Sequence, residues 1–290
     1  MLRSLLLPFS TMSDPKLCLE ALSALTGCNV ESTTGSSQLT PQDLVNIVAL
    51  REFYKQEGLK QIDYQSESLG TLSLQDLDDK DMYSSPPALT EGAEASFKTT
   101  VKINLDEFFH SQYNYDFTKL KDGDKTFLRG NEQYVRPCGW NRVALRVTNK
   151  YDDGDQWLGT GNDAWPVSYQ GHKMDGSPGI ILARDGNPDD EPNFLEACVE
   201  HLVNEKTRGN GVYSTPNIKM AEKYCKTFKS KVDGMMYKVL LQNRINPERR
   251  EKCQREDVWV VYIPEGTNNI QTKAIVQESI RPYGLLLKHV

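Results

Sequence analysis

From residue 98 onward the chain is built of short apolar runs with very few helical stretches between them, and this limits the folds open to it. RVALRVT (142–148), WPVSY (165–169), MYKVLLQ (236–242), DVWVVYI (257–263), AIVQ (274–277) and YGLLLK (283–288) have strand length and strand composition. RVALRVT also alternates apolar and polar residues, as a half-buried strand does. Helical spacing fits best at only two places in this region, roughly 193–206 and 216–229. A doubly wound parallel sheet needs a helix after nearly every strand. The pattern therefore predicts an α+β domain over residues 98–290.

The first third has a different texture. Residues 1–97 carry a net charge of -8 and the remainder +2, so the acidity of the chain is concentrated there. Helices are expected at 15–27 and 41–57, the second entered at Thr40-Pro41 with Asp43 in its first turn and an apolar face of Leu44, Ile47, Val48, Leu50 and Phe53. Residues 63–97 are acidic and rich in Ser, Pro and Gly, the composition of a tether. The expected organisation is a small helical element over 1–62, an acidic linker over 63–97 and the α+β domain over 98–290. The acidic N-terminal element suits the docking of a protein partner.

No concentrated basic stripe marks a nucleic-acid binder. No window approaches the roughly 18 apolar residues of a membrane span. MLRSLLLPF is too short for a secretory leader and too poor in arginine for a transit peptide. Six cysteines without a CxxC pair fit reduced thiols in a cytoplasmic protein. There is no GxxxxGK[ST], HExxH or GxSxG. Cys198 and His201 share a helical face, but further metal ligands at readable spacing are missing. KDGDK (121–125) and YDDGD (151–155) read as turns, the first too short for a calcium loop.

Chemistry concentrates in GNGVYSTPNIKMAEKYC (209–225). Tyr213 ends an apolar run. Thr215 and Pro216 suit the N-cap and first position of a helix, and Tyr224 falls on its third turn. The two tyrosines either pack as core or face each other across a slot for a flat ring.

The order of segments resembles the ADP-ribosyltransferase fold of the poly(ADP-ribose) polymerase type. SYQGHK (168–173) stands where that family has W/Y-H-G-S/T. GNGVYST…AEKYC is similar to its GxGIYF/S segment and following helix, and TKAIVQESIRPYGLLLK (272–288) to its closing strands. The resemblance implies a split antiparallel sheet and NAD⁺ as substrate. It implies that Tyr213 and Tyr224 stack on nicotinamide and that Gly171 clamps the carboxamide, with His172, Ser214 and Ala221 lining the cofactor cleft. Gln170 falls on the family's ribose-binding histidine. Lys273 falls on its catalytic glutamate, with Glu278 five residues on as the other candidate.

These departures bear on activity. Ala221 stands where the family has a serine and cannot donate that hydrogen bond. A lysine roughly 4 Å from a developing oxocarbenium ion repels it by about 4 kcal/mol at an effective dielectric near 20. The resemblance thus implies an ADP-ribosyltransferase-like protein with an altered NAD-binding cleft, weakly active or inactive and used for binding. The alternative is an active mono-ADP-ribosyltransferase relying on His172 or Glu278.

Overall fold

A computed structural model of the chain describes residues 14–49, 99–171, 211–252, 257–264 and 266–290. In chain order the elements are α1 (Pro15–Thr26), β1 (Asn29–Ser32), α2 (Pro41–Ala49), β2 (Thr100–Ile103), α3 (Leu105–Phe108), β3 (Tyr115–Asp116), β4 (Leu128–Arg129), β5 (Glu132–Gln133), β6 (Asn141–Ala144), β7 (Val167–Gln170), β8 (Gly211–Ser214), α4 (Ile218–Lys223), β9 (Lys226–Lys229), β10 (Met236–Ile245), β11 (Glu251–Lys252), β12 (Trp259–Tyr262), α5 (Asn269–Ser279) and β13 (Ile280–His289). Few helices stand among many short, mostly antiparallel strands, which is the α+β architecture expected from the apolar pattern.

Two ten-residue strands form the spine. β10 and β13 pair antiparallel from Tyr237 opposite His289 to Ile245 opposite Ile280. Around them the sheet runs β3-β6-β13-β10-β7, with β9 also pairing β10. A second sheet runs β11-β12-β8. One face of the spine, carrying Val239, Leu241, Leu285 and Leu287, packs on α1 and α2 through Leu17, Leu22, Leu44 and Val48. The other carries Leu240 and Leu286 and packs on Trp140, Tyr169 and Tyr213. Alternation along β10 and β13 thus feeds two separate cores.

The N-terminal helices are part of the main core, not beads on a string. β1 pairs in parallel with β2, setting Val30 beside Val101, so residues on both sides of the 50–98 stretch share one sheet. α1 begins at Asp14, whose carboxylate caps Lys16 N–H, and ends at Gly27 with φ of 75°. Pro41 opens α2, where Asp43 accepts from the Thr40 backbone and hydroxyl. The remainder of the 41–57 helix, the 193–206 helix, the 63–97 tether and the Cys198/His201 pair lie outside the described residues.

Three local expectations are corrected. The 216–229 helix stops at Lys223, because residues 226–229 pair with β10, Lys226 opposite Val239 and Lys229 opposite Met236. Its cap is Asn217, not Thr215, because the Thr215 backbone is committed to Tyr169. AIVQ (274–277) is helical: a capping box of Asn268 and Gln271 starts α5, and Thr272, Val276 and Ser279 recur at helical spacing on its buried side.

YDDGD is a turn with a structural task. Asp153 meets the Arg281 guanidinium at 2.8 Å. That guanidinium is boxed by the rings of Tyr151, Trp157 and Trp165, at 4.0, 5.3 and 4.5 Å to their centres. Asp122 of KDGDK likewise pairs with Arg136.

Candidate functional site

The segments SYQG and VYST…AEKYC, distant in sequence, meet at one stitch between the two sheets. Tyr169 N–H donates to the Thr215 carbonyl at 2.7 Å, and Thr215 N–H returns to the Tyr169 carbonyl at 3.0 Å. Antiparallel pairing there sets Gln170 beside Ser214. Gln170 Nε2 then donates to the Tyr213 carbonyl at 3.2 Å. On its far edge β8 is held by β12, with Val260 opposite Tyr213.

α4 closes over this stitch. The Asn217 side chain accepts from Lys219 and Met220 N–H, and Ile218 and Ala221 turn inward. The end of the helix lands on Gly171. A Cβ at that position would lie 2.4 Å from the Tyr224 carbonyl oxygen and 3.1 Å from that of Ala221, so only glycine admits this approach. On its outer side Glu222 bridges to the spine, 2.8 Å from Lys288 Nζ and 3.0 Å from Lys238 Nζ. Burial acts to raise the Glu222 carboxyl, but the two ammonium groups prevail and hold it below its ordinary range.

Six of the residues singled out from the sequence therefore lie at the stitch: Gly171, Tyr213, Ala221 and Tyr224 on the face of Val260, and Gln170 and Ser214 with their side chains on the opposite face, beside Leu241 and Trp259. Tyr213 is 2 % exposed and packs with Tyr134, Tyr169, Ile218, Ala221 and Val260. Tyr224 is half-buried against the same cluster. Of the two arrangements open to the tyrosines, Tyr213 adopts core packing in this structure. His172 lies outside the described residues.

Lys273 and Glu278 are placed differently from the expectation. Both ride on α5, which packs against α2 and β13. The half-exposed Glu278 side chain pairs with Arg249 at 2.7 Å. The strand that was to present Lys273 to the cleft is a turn of helix.

The stitch has a polar floor. Ser168 stands opposite Asn243 across the β7–β10 pair, and alternation puts Gln170 on the same face. Ser168, Gln170, Ser214 and Asn243 are fully buried. Ser168 Oγ, Gln170 Oε1, Ser214 Oγ and both carboxamide heteroatoms of Asn243 have no hydrogen-bond partner among the described residues. Each such group costs about 1–3 kcal/mol when left unmet. This set of hydroxyls and carboxamides donates and accepts without carrying charge, which suits amide or hydroxyl groups of a ligand.

A second group of residues escaped the sequence reading. Arg129, Arg142 and Arg244 gather beside Tyr134, Tyr169 and Tyr283. The available signal was Arg244 within the strand stretch LLQNRI, where a charge is seldom buried without a partner.

Among the described residues, no group of three histidine, cysteine or carboxylate side chains is arranged to hold a metal ion. The helices there include none long and apolar enough to cross a membrane. The chain matches no family model, no curated protein and no solved structure.

Proposed function

We propose that this is an ADP-ribosyltransferase-like protein whose split antiparallel core carries an altered NAD⁺ cleft, used to bind and transferring ADP-ribose weakly or not at all. The observation that carries the reading is the stitch between SYQG and VYST…AEKYC. Segments matched to the family by sequence order alone lie against each other, and Gly171 is pressed onto the turn that bears Tyr224.

On this reading the nicotinamide ring enters between Tyr213 and Tyr224. Tyr213 is core in the unliganded chain, so entry requires the Tyr224 end of α4 to yield. α4 is six residues long, and the Glu222 bridges that hold it to Lys238 and Lys288 must give way as the ring enters. The Gly171 backbone then meets the carboxamide, while the Gln170 and Ser214 side chains lie on the opposite face, beside Leu241 and Trp259, and only hold the strands that carry the slot.

Transfer is the weaker half of the activity. Breaking the glycosidic bond develops positive charge, which a carboxylate at the ribose would stabilise. Glu222 is committed to two lysines and Glu278 to Arg249. A protein partner is engaged through the acidic N-terminal third.

The test is calorimetry with NAD⁺ together with incubation in labelled NAD⁺. Saturable heat that falls at least tenfold in Tyr224→Ala, with little label on the protein, is the expected result. Absence of heat would overturn the binding role. Label that enters the protein and disappears in Glu278→Ala would establish the active mono-ADP-ribosyltransferase instead.

A further inference from the structure

We propose that Arg129, Arg142 and Arg244 form a phosphate-binding site on the β6–β13–β10 face of the main sheet, one that takes a phosphate ester or a pyrophosphate. The site is independent of the nicotinamide reading.

The strand register brings the three arginines together. Arg142 on β6 lies opposite Leu286 on β13, which lies opposite Leu240 on β10. Arg244 is four residues along β10 from Leu240, on the same face. Between Gln242 opposite Gly284 and Asn243 opposite Pro282 the register shifts, leaving Tyr283 as the extra residue of a β-bulge. Bulges re-aim side chains. Here the guanidinium carbons of Arg142 and Arg244 lie 5.4 and 5.2 Å from the centre of the Tyr283 ring.

Gly284 makes room for this crossing. A Cβ there would meet the Arg142 side chain at 2.7 Å. Arg129 arrives from the β4–β5 hairpin, whose turn residues Gly130 and Asn131 both have positive φ, 56° and 63°. Its guanidinium stands 5.1 Å from the centre of the Tyr134 ring. Gly130 is pressed on the Ala164 carbonyl, in the same loop that Arg244 holds through the carbonyls of Leu158, Gly159 and Trp165.

Among the described residues no carboxylate pairs with these three guanidinium groups. Arg129, Arg142 and Arg244 hydrogen-bond only to backbone carbonyls among the described residues. The nearby acids are committed elsewhere: Glu132 to Arg250 and Lys252, at 2.7 and 2.8 Å, and Asp116 to the Thr118 amide and hydroxyl. Arg244 is 4 % exposed, and its Nε and that of Arg142 are buried without partners there.

Guanidinium keeps its proton under such conditions, so the cluster stays positive and suits a bound anion. Its planar fork suits phosphoryl oxygens. The hydroxyls beside it are neutral: burial raises the Tyr134 and Tyr169 phenols, and Tyr134 accepts from Gln242 Nε2 at 3.1 Å. Arg244, Tyr134 and Tyr169 are buried, while Arg129, Arg142 and Tyr283 are partly exposed. The site thus has a closed floor and an open rim.

The experiment titrates the full-length chain by calorimetry with inorganic phosphate, pyrophosphate and ADP-ribose, at low and at moderate salt. Saturable binding is expected, weakened at least tenfold by Arg142→Gln and again by Arg129→Gln. Arg142→Lys keeps the charge but loses the fork and should recover only part of it. Circular dichroism checks that the variants fold, and Arg244 is left intact because it supports the 158–165 loop. Phosphate or pyrophosphate binding as tightly as ADP-ribose identifies a free-anion site. A clear preference for ADP-ribose identifies a dinucleotide or sugar-phosphate source. No saturable heat with any of the three overturns the proposal, as does unchanged affinity in the Arg129→Gln, Arg142→Gln double variant. Tyr224→Ala, which tests the nicotinamide slot, should leave phosphate binding unchanged.

Discussion

Gly171→Ala adds one methyl group where the sheet and α4 are closest. The new Cβ would stand 2.4 Å from the Tyr224 carbonyl oxygen, 2.6 Å from its carbon and 3.1 Å from the Ala221 oxygen. These are backbone atoms and cannot rotate aside. To restore ordinary contact the end of α4 must retreat by about 1 Å, and the Glu222 bridges to Lys238 and Lys288 resist that on its outer side. The alternative is to draw Gly171 away, which strains the Tyr169–Thr215 stitch one residue from Gln170. Inserting a methylene into a tight site costs roughly 1–3 kcal/mol, and the rigidity of the neighbours puts this case at the upper end. With a denaturant slope of about 2–3 kcal/mol/M in urea, the midpoint should fall by about 1 M. Gly161→Ala is the matched control, since nothing stands within 4 Å of its Cβ and its φ lies outside the left-handed region. Urea melts followed by tryptophan fluorescence make the comparison. A midpoint for Gly171→Ala no lower than that of Gly161→Ala would refute the close approach, and with it the stitch on which the functional reading rests.

Stability should also fall in acid through Glu222, whose carboxyl is held below its ordinary value of 4.5 by Lys288 and Lys238 against the opposing effect of burial. Between the unfolded and the lower folded pKa the unfolded chain binds more protons, so the stabilisation is complete above about 4.5 and is lost as pH falls through the folded value. Glu222→Gln should flatten this part of a stability profile measured by urea melts between pH 3 and 6. An unchanged slope would rule the bridge out as a contributor. Thiol mapping by alkylation and mass spectrometry should find Cys138 modified well before Cys18. Burial, with Asp14 adding to it, pushes the Cys18 thiol up to about 12, and α1 must leave the core to expose it. Equal rates at the two positions would mean that α1 is not part of the core.

The α+β class was legible because alternation and strand length survive in the sequence of the spine. MYKVLLQ and YGLLLK lie within β10 and β13, and the antiparallel pair they form needs no distant information beyond two apolar faces. Helix caps were legible only where the cap had no rival. Thr40-Pro41 starts α2 as expected, whereas Thr215 lost its capping role to a strand bridge with Tyr169. AIVQ illustrates the limit of short apolar runs, because four residues suit a strand or a turn of helix equally. The capping box that decides the matter lies outside the run, at Asn268 and Gln271.

By itself the sequence determined the class of fold, the starts of α1 and α2, and the residues that make up the SYQG and VYST…AEKYC segments, while it set those two helices apart from the core that the structure packs them into. Only the tertiary structure decided that these segments touch, that Gly171 is glycine because a helix end lies on it, and that Tyr213 is packed as core. It also placed Lys273 and Glu278 on a helix packed on α2 and β13, and gathered three arginines from separate strands that pair with no carboxylate among the described residues. The physical reason is common to all of these. Periodicity reports which way a residue faces along its own element, but what it meets there depends on register between elements far apart in the chain. A bulge at Tyr283 or a single bridge at Tyr169 sets that register and leaves no mark in the local sequence.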